Sequence, residues 1–256
     1  MVDYAALTLY LYILARVSGV VLFNPILGRS NLPNLYRGCF ILVLSVFTAS
    51  LTVQTVTVPQ DTPELMVRIL AELLTGLLLG MAMQFFFYIP QLMGFTVDTQ
   101  MGMTMNQIYD AGQQTNMSVT GVIINVLMML LFFAGNGHHT LIRILMTSGE
   151  VVPFGEVLIG TAAASYLLEL FCQCTVMAVK MSMPILTAEL LGQLGMGVLM
   201  KVIPQINVFA INIDVKVIIG LVMLLMLISP FSEFLLQAEN QMLRSLSELL
   251  RLTAAG

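Results

Sequence analysis

Charge is scarce in this chain. Ten Lys and Arg and fourteen Asp and Glu among 256 residues make 9%, against roughly 25% in soluble globular proteins. So few ions cannot solvate a folded surface of this size, which excludes an ordinary cytosolic enzyme. The balance is −4 with a pI near 5.1, and no basic stripe is present to grip a polyanion, so nucleic-acid binding is excluded too. Cysteine is nearly absent: Cys39, Cys172 and Cys174 form an odd set with no framework spacing. Cys172-Gln173-Cys174 is not a CxxC, and no His stands at zinc-ligand spacing from it, so the three read as small apolar packing residues. Asp3 sits where a signal peptide carries Lys or Arg, and the first apolar run is expected to be retained. HExxH, GxSxG, P-loop and GxGxxG motifs are all missing. No enzyme, metal or cofactor is expected.

Apolar residues are abundant, at 58% with a mean hydropathy of +0.94. A helix needs about 20 such residues to cross a bilayer core. Six long stretches qualify: about 5–27, 38–58, 65–95, 119–147, 157–190 and 208–231. Asn24-Pro25 to Asn34 separates the first two, and Pro59 to Pro63 the next two. Their length, and the lack of strict alternation, favours helices over barrel strands. The expected fold class is all-α, integral-membrane type. Pro90 and Pro184 fall inside the two longest stretches and are expected to kink or end them. Residues 232–252 are amphipathic, with Leu235, Met242, Leu246 and Leu249 at helical spacing between Glu233, Glu239, Arg244, Glu248 and Arg251. This helix is expected at an interface or against a partner. The positive-inside rule splits: Arg29, Arg37 and Lys201 agree on one side, whereas Arg244 and Arg251 fall on the other.

Ions inside apolar runs are costly and need partners. Arg16, Glu72, Glu169, Lys180 and Glu189 are the candidates. Glu72, Gly76 and Gly80 recur every four residues, a face that packs closely through its glycines while burying an acid, with Arg16 a plausible neighbour. Such charges are bonded to other helices of an assembly or form a proton or ion relay. Glu169 and Lys180 share a helix face but stand too far apart to pair directly. His138 and His139 diverge by about 100° as helix neighbours, which disfavours a shared metal. Asp98 and Asp110 lie in a polar connection, about 96–118, which argues against an intramembrane aspartyl pair. Of 20 Met, five fall in or beside that connection: Met93, Met101, Met103, Met105 and Met117. Flexible, polarisable thioethers suit a deformable seal or a surface that accepts many partners.

Gly94-Phe95-Thr96-Val97-Asp98-Thr99-Gln100-Met101-Gly102-Met103 leads to Tyr109-Asp110. A second segment runs from Pro184 through Gly195-Met196-Gly197 and Ile203-Pro204-Gln205-Ile206-Asn207 to Gly220. With Asn136-Gly137-His138 and the region from Arg16 to Pro25, these resemble the FliR family of flagellar biosynthetic proteins and its SctT-type injectisome counterparts. The resemblance spans nearly the whole chain. It implies a subunit of the type III export gate, assembled with FliP-type and FliQ-type subunits into a helical ring around a conduit for unfolded substrates. By the same resemblance residues 1–147 are a FliP-like part and 148–256 a FliQ-like hairpin. The location implied is the bacterial inner membrane, in the flagellar basal body, with part of the assembly above the membrane plane.

A plug-like loop matches about 104–118, making Met103, Met105, Gln107, Ile108, Tyr109, Gln113, Gln114 and Met117 the pore-side residues. The tip at 191–207, with Gln193, Lys201, Pro204 and Gln205, resembles the end that meets an FlhB-type switch subunit. An FlhA-type export subunit is a further implied partner. Ala111 departs from the Pro usual in this loop, and Asp214 stands near another expected Pro, so the loop is expected to be more flexible than usual. Outside the resemblance, the competing reading is a secondary transporter using Glu72, Glu169 and Lys180. No convincing internal repeat supports it.

Overall fold

A computed structural model describes residues 4–28, 33–52, 56, 58, 59, 61–103, 108–110, 115–157, 160–202 and 208–255. Helix dominates them. Helix α1 (Tyr4–Phe23) stops at Asn24, whose side-chain oxygen accepts from Ile26 N–H (2.8 Å) and Leu27 N–H (3.1 Å), turning the chain at Pro25. Helix α2 (Asn34–Leu51) begins behind Pro33 and packs back on α1. Helix α3 (Thr62–Met101) is 40 residues long. Then follow β1 (Ile108–Asp110) and β2 (Thr115–Met117), α4 (Val119–Ala134), α5 (Gly137–Met146), α6 (Ser148–Val151), α7 (Thr161–Val202), α8 (Val208–Met226) and α9 (Ile228–Ala255).

Four of these helices (α1, α2, α3 and α7) are long and apolar enough to cross a membrane, or up to six if each bent pair counts as one span. The all-α membrane class therefore stands, with different boundaries. The 119–147 stretch is two helices meeting at 65°, because Gly135 ends α4 and Asn136 adopts a left-handed φ of 59°. The last apolar stretch ends at Met226, and the amphipathic helix begins at Ile228 with a 61° bend. Pro230 lies in the first turn of α9, where its missing N–H is not needed. Neither Pro90 nor Pro184 ends its helix. Each proline removes one helix bond and leaves the flanking ones, which apolar surroundings preserve because no water is there to replace them. The 96–118 connection is shorter than expected, since α3 runs on to Met101 and places Asp98 inside it. The antiparallel pair β1–β2 is a local exception to the all-helical reading.

The chain groups into two compact units that interleave in sequence: residues 1–86, 136–172 and 239–256, and residues 87–135 and 173–238. In the first, Tyr12, Ile13 and Val17 of α1, Met83 and Phe86 of α3, and Leu246 and Leu249 of α9 are buried. The apolar face of α9 is thus spent on this chain's own core rather than at an interface. Glu239, expected on its polar face, is buried as well. In the second unit Phe87 meets Phe132 edge to face at 6.1 Å, and Met93, Ile124 and Met128 are buried too.

Candidate functional site

Within the first unit, α1 and α3 run side by side in the same direction because glycines let their backbones touch. A Cβ on Gly19 would stand 2.5 Å from the Leu73 carbonyl oxygen, and one on Gly76 would run into the Arg16 carbonyl. One turn on, Gly80 faces Phe23. One turn before Gly76, Glu72 meets Arg16. The guanidinium donates from Nε to Glu72 Oε2 (2.6 Å) and from Nη2 to Oε1 (3.1 Å), a two-pronged ion pair with both side chains at most 1% exposed. Nη1 donates to Ser148 Oγ (3.2 Å) and to the Val152 carbonyl (3.1 Å). The Phe154 ring lies 4.2 Å from the guanidinium carbon. Glu72 Oε1 also accepts from Gly155 N–H (2.8 Å), in a turn whose φ of 84° suits only glycine.

One buried arginine therefore ties α1, α3, α6 and the 152–155 turn together. Glu72 accepts three hydrogen bonds here, and protonating it would weaken its pairing with Arg16.

The second unit holds the segment between α3 and α4. These helices run antiparallel, closest where a Cβ on Gly94 would strike the backbone of Gly121. Helix α3 closes in a left-handed turn at Gly102 (φ 76°): Gly102 N–H donates to Thr99 O (3.3 Å), and Met103 N–H to Asp98 O (2.8 Å). Helix α4 opens on Ser118, whose Oγ accepts from Gly121 N–H (3.1 Å). Between them Ile108 pairs with Met117, Tyr109 with Asn116 and Asp110 with Thr115.

Ile108 and Tyr109 are 45% and 62% exposed, and Met103 is half-buried. Met117, expected at a pore, is only 4% exposed, because it directly precedes the α4 cap and is drawn into the unit's core. Met105, Gln107, Gln113 and Gln114 lie outside the described residues, as do Pro204 and Gln205 at the tip. Gln193 and Lys201 are exposed near the end of α7.

Glu169 and Lys180, expected as charges bonded within an assembly, are exposed on the single chain. Helix α7 buries one stripe, Ala163, Leu167 and Leu170 in the first unit and Cys174, Ala178, Met181 and Ile185 in the second. Glu169 and Lys180 lie off that stripe and are exposed. Glu189 continues it and is buried, its carboxyl facing Lys216 and the Gly220 backbone of α8. The rings of His138 and His139 lie 4.0 Å apart, tilted by 40°, rather than diverging, because side-chain torsions bring them together despite the backbone spacing. Among the described residues no group of three or more His, Cys, Asp or Glu could hold a metal ion.

Sequence reasoning missed Ser148, Val152, Phe154 and Gly155 around Arg16, the bond from Thr120 N–H of α4 to Asp98 Oδ2 (3.2 Å), and the caps at the facing ends of α3 and α4. The signals were faint: a Ser three residues before Gly121 at the head of an apolar run, and a Gly just past Met101.

These features define an all-α protein of the membrane-embedded class, with a buried Arg16–Glu72 pair tying its helices together. Residues 7–242 match the family described as Bacterial export proteins, family 1, and the chain belongs to that family. Flagellar biosynthetic protein FliR of Escherichia coli (strain K12) is 28% identical over 233 residues, covering 90% of this chain and 88% of its own. FliR of Bacillus subtilis (strain 168) is 24% identical over 223 residues, 86% of either chain. Yop proteins translocation protein T of Yersinia pestis is 24% identical over 210 residues, covering 81% of this chain and 80% of its own.

Proposed function

We propose that this chain is a structural component of a type III protein-export apparatus in the bacterial inner membrane, of the flagellar kind, and that it catalyses no reaction. In this reading it joins FliP-type and FliQ-type subunits around a conduit for unfolded polypeptide, with residues 1–147 as the FliP-like part and 148–256 as the hairpin. FlhB-type and FlhA-type subunits meet it from the cytoplasmic side, the former at Gln193 and Lys201. Part of the assembly stands above the membrane plane.

The observation that carries this reading is the family match over nearly the full chain, on a molecule whose apolar faces are left open. Phe47 and Val46 of α2, Leu130 of α4, Leu168 and Leu194 of α7 and Leu225 of α8 are all exposed. Sister helices or lipid must cover so much apolar surface. The segment between α3 and α4 is the resting seal, with Ile108 and Tyr109 outward. A soft apolar constriction resists water and ions yet yields to side chains of varied size.

Deleting residues 106–116 is expected to raise the ion conductance of planar bilayers carrying the assembled complex. Unchanged conductance would end the seal assignment. Mass spectrometry of proteins co-purifying with the tagged chain tests membership of the apparatus separately. A secondary transporter has little to work with: Glu72 is bound to Arg16, and Glu169 and Lys180 face outward.

A further inference from the structure

The segment between α3 and α4 has two feet, and one residue touches both. Asp98 lies in the last turn of α3 and is only 2% exposed. Its backbone carbonyl accepts from Met103 N–H at 2.8 Å, fixing where the chain leaves α3. Its side-chain Oδ2 accepts from Thr120 N–H at 3.2 Å, in the first turn of α4, fixing where the chain returns. The first turn of a helix presents N–H groups with no partner inside the helix, so a carboxyl group there is held by geometry and by the helix dipole. Burial is sharply divided at these feet. Met101 and Met117, just inside them, are 0% and 4% exposed, whereas Gly102, Ile108, Tyr109 and Asn116 between them are exposed.

We infer that Asp98 is a positioning residue for this segment: by bonding Met103 through its backbone and Thr120 through its side chain, it holds the two feet at a set separation and so fixes the β1–β2 pair. The two anchors differ in kind. The Met103 bond belongs to the helix end and survives any side-chain change, whereas the Thr120 bond depends on the carboxyl. Removing the carboxyl frees only the returning foot, leaving the Gly102 turn and the Ser118 cap intact. The inference rests on reading the segment as a seal, and the experiment separates the two.

The test uses the complete chain in the assembled complex, in planar bilayers. Asp98→Ala is expected to raise closed-state conductance about five- to tenfold, the effect of losing one buried hydrogen bond. Asp98→Asn keeps an oxygen that can accept from Thr120 and is expected to stay near the parent value. Thr120→Pro removes the backbone donor, and the Thr120 hydroxyl that also faces the Asp98 carboxyl, at a helix position that tolerates proline, and should leak like Asp98→Ala. The double variant should leak no more than either single one, since both remove the same bond. Co-purification with sister subunits should be unchanged throughout. If Asp98→Ala does not assemble, Thr120→Pro carries the test with Asp98 in place.

Hydrogen exchange gives a readout independent of conduction. Residues 115–120 should exchange faster in Asp98→Ala and not in Asp98→Asn. The inference is overturned if Asp98→Ala neither leaks nor exchanges faster while the 106–116 deletion leaks, or if Asp98→Asn behaves like Asp98→Ala. If the deletion does not leak, the seal reading fails, and exchange alone decides whether Asp98 holds the feet.

Discussion

Arg16 shows how much one side chain can carry in an apolar chain. Removing either member of a buried ion pair strands the other without water, at a cost of about 3–5 kcal/mol, whereas apolar residues of similar volume at both positions can be nearly neutral. Arg16→Ala is therefore expected to abolish accumulation of the protein in membranes. Arg16→Met with Glu72→Leu is expected to restore most of it, read by immunoblot of membrane fractions. The glycines make a second contrast. A methyl group at Gly76 meets α1 backbone, which cannot move aside, while one at Gly220 meets the thioether of Met101, which can. Gly76→Ala should destabilise by more than the typical 1–3 kcal/mol of overpacking. Gly220→Ala should fall at or below that range, measured as melting temperature of the purified complex. The four-residue recurrence of Glu72, Gly76 and Gly80 was readable from the chain, because helix geometry is local. Glu72 was readable too as the acid that Arg16 neighbours, and the two form an ion pair at 2.6 Å. Ser148 and Val152 were not, because they stand 132 and 136 residues from Arg16.

Among the helices, α9 is the clearest case of a pattern that names a face but not its occupant. Its apolar stripe was legible, yet the stripe turns inward, with Leu246 and Leu249 at most 1% exposed. Leu249→Ala is expected to cost about 2–5 kcal/mol. The Glu248–Arg251 contact is long, at 3.8 Å, and exposed, so Glu248→Ala should change stability by less than about 0.5 kcal/mol. Thermal melting of the complex distinguishes them. An α9 free to leave for a partner would show little effect of Leu249→Ala before assembly. Helices α3 and α7 teach the reverse lesson. Pro90 and Pro184 read as breaks, but a proline removes one bond and an apolar environment protects the others. The segment between α3 and α4 was legible as a special place from its Met, Gly and Gln content. Its feet were not, because capping by Asp98 reaches across 22 residues.

The whole molecule exposes more large apolar side chains than water will tolerate, along α2, α3, α4, α7 and α8. Expressed without sister subunits and extracted in mild detergent, it is expected to aggregate or be degraded. Co-expression with FliP-type and FliQ-type subunits should give a monodisperse complex by size-exclusion chromatography. A stable monomer would remove the main physical support for assembly. Hydropathy alone settled that this chain is helical and belongs with membranes, because both follow from residue type and the spacing of near neighbours. It also marked Arg16 and Glu72 as ions in need of company. Which further groups hold that pair, which charges of α7 face inward, and how Asp98 grips both ends of its segment emerged only once distant stretches were packed. Burial and hydrogen bonding between them depend on three-dimensional neighbours that no local spacing encodes.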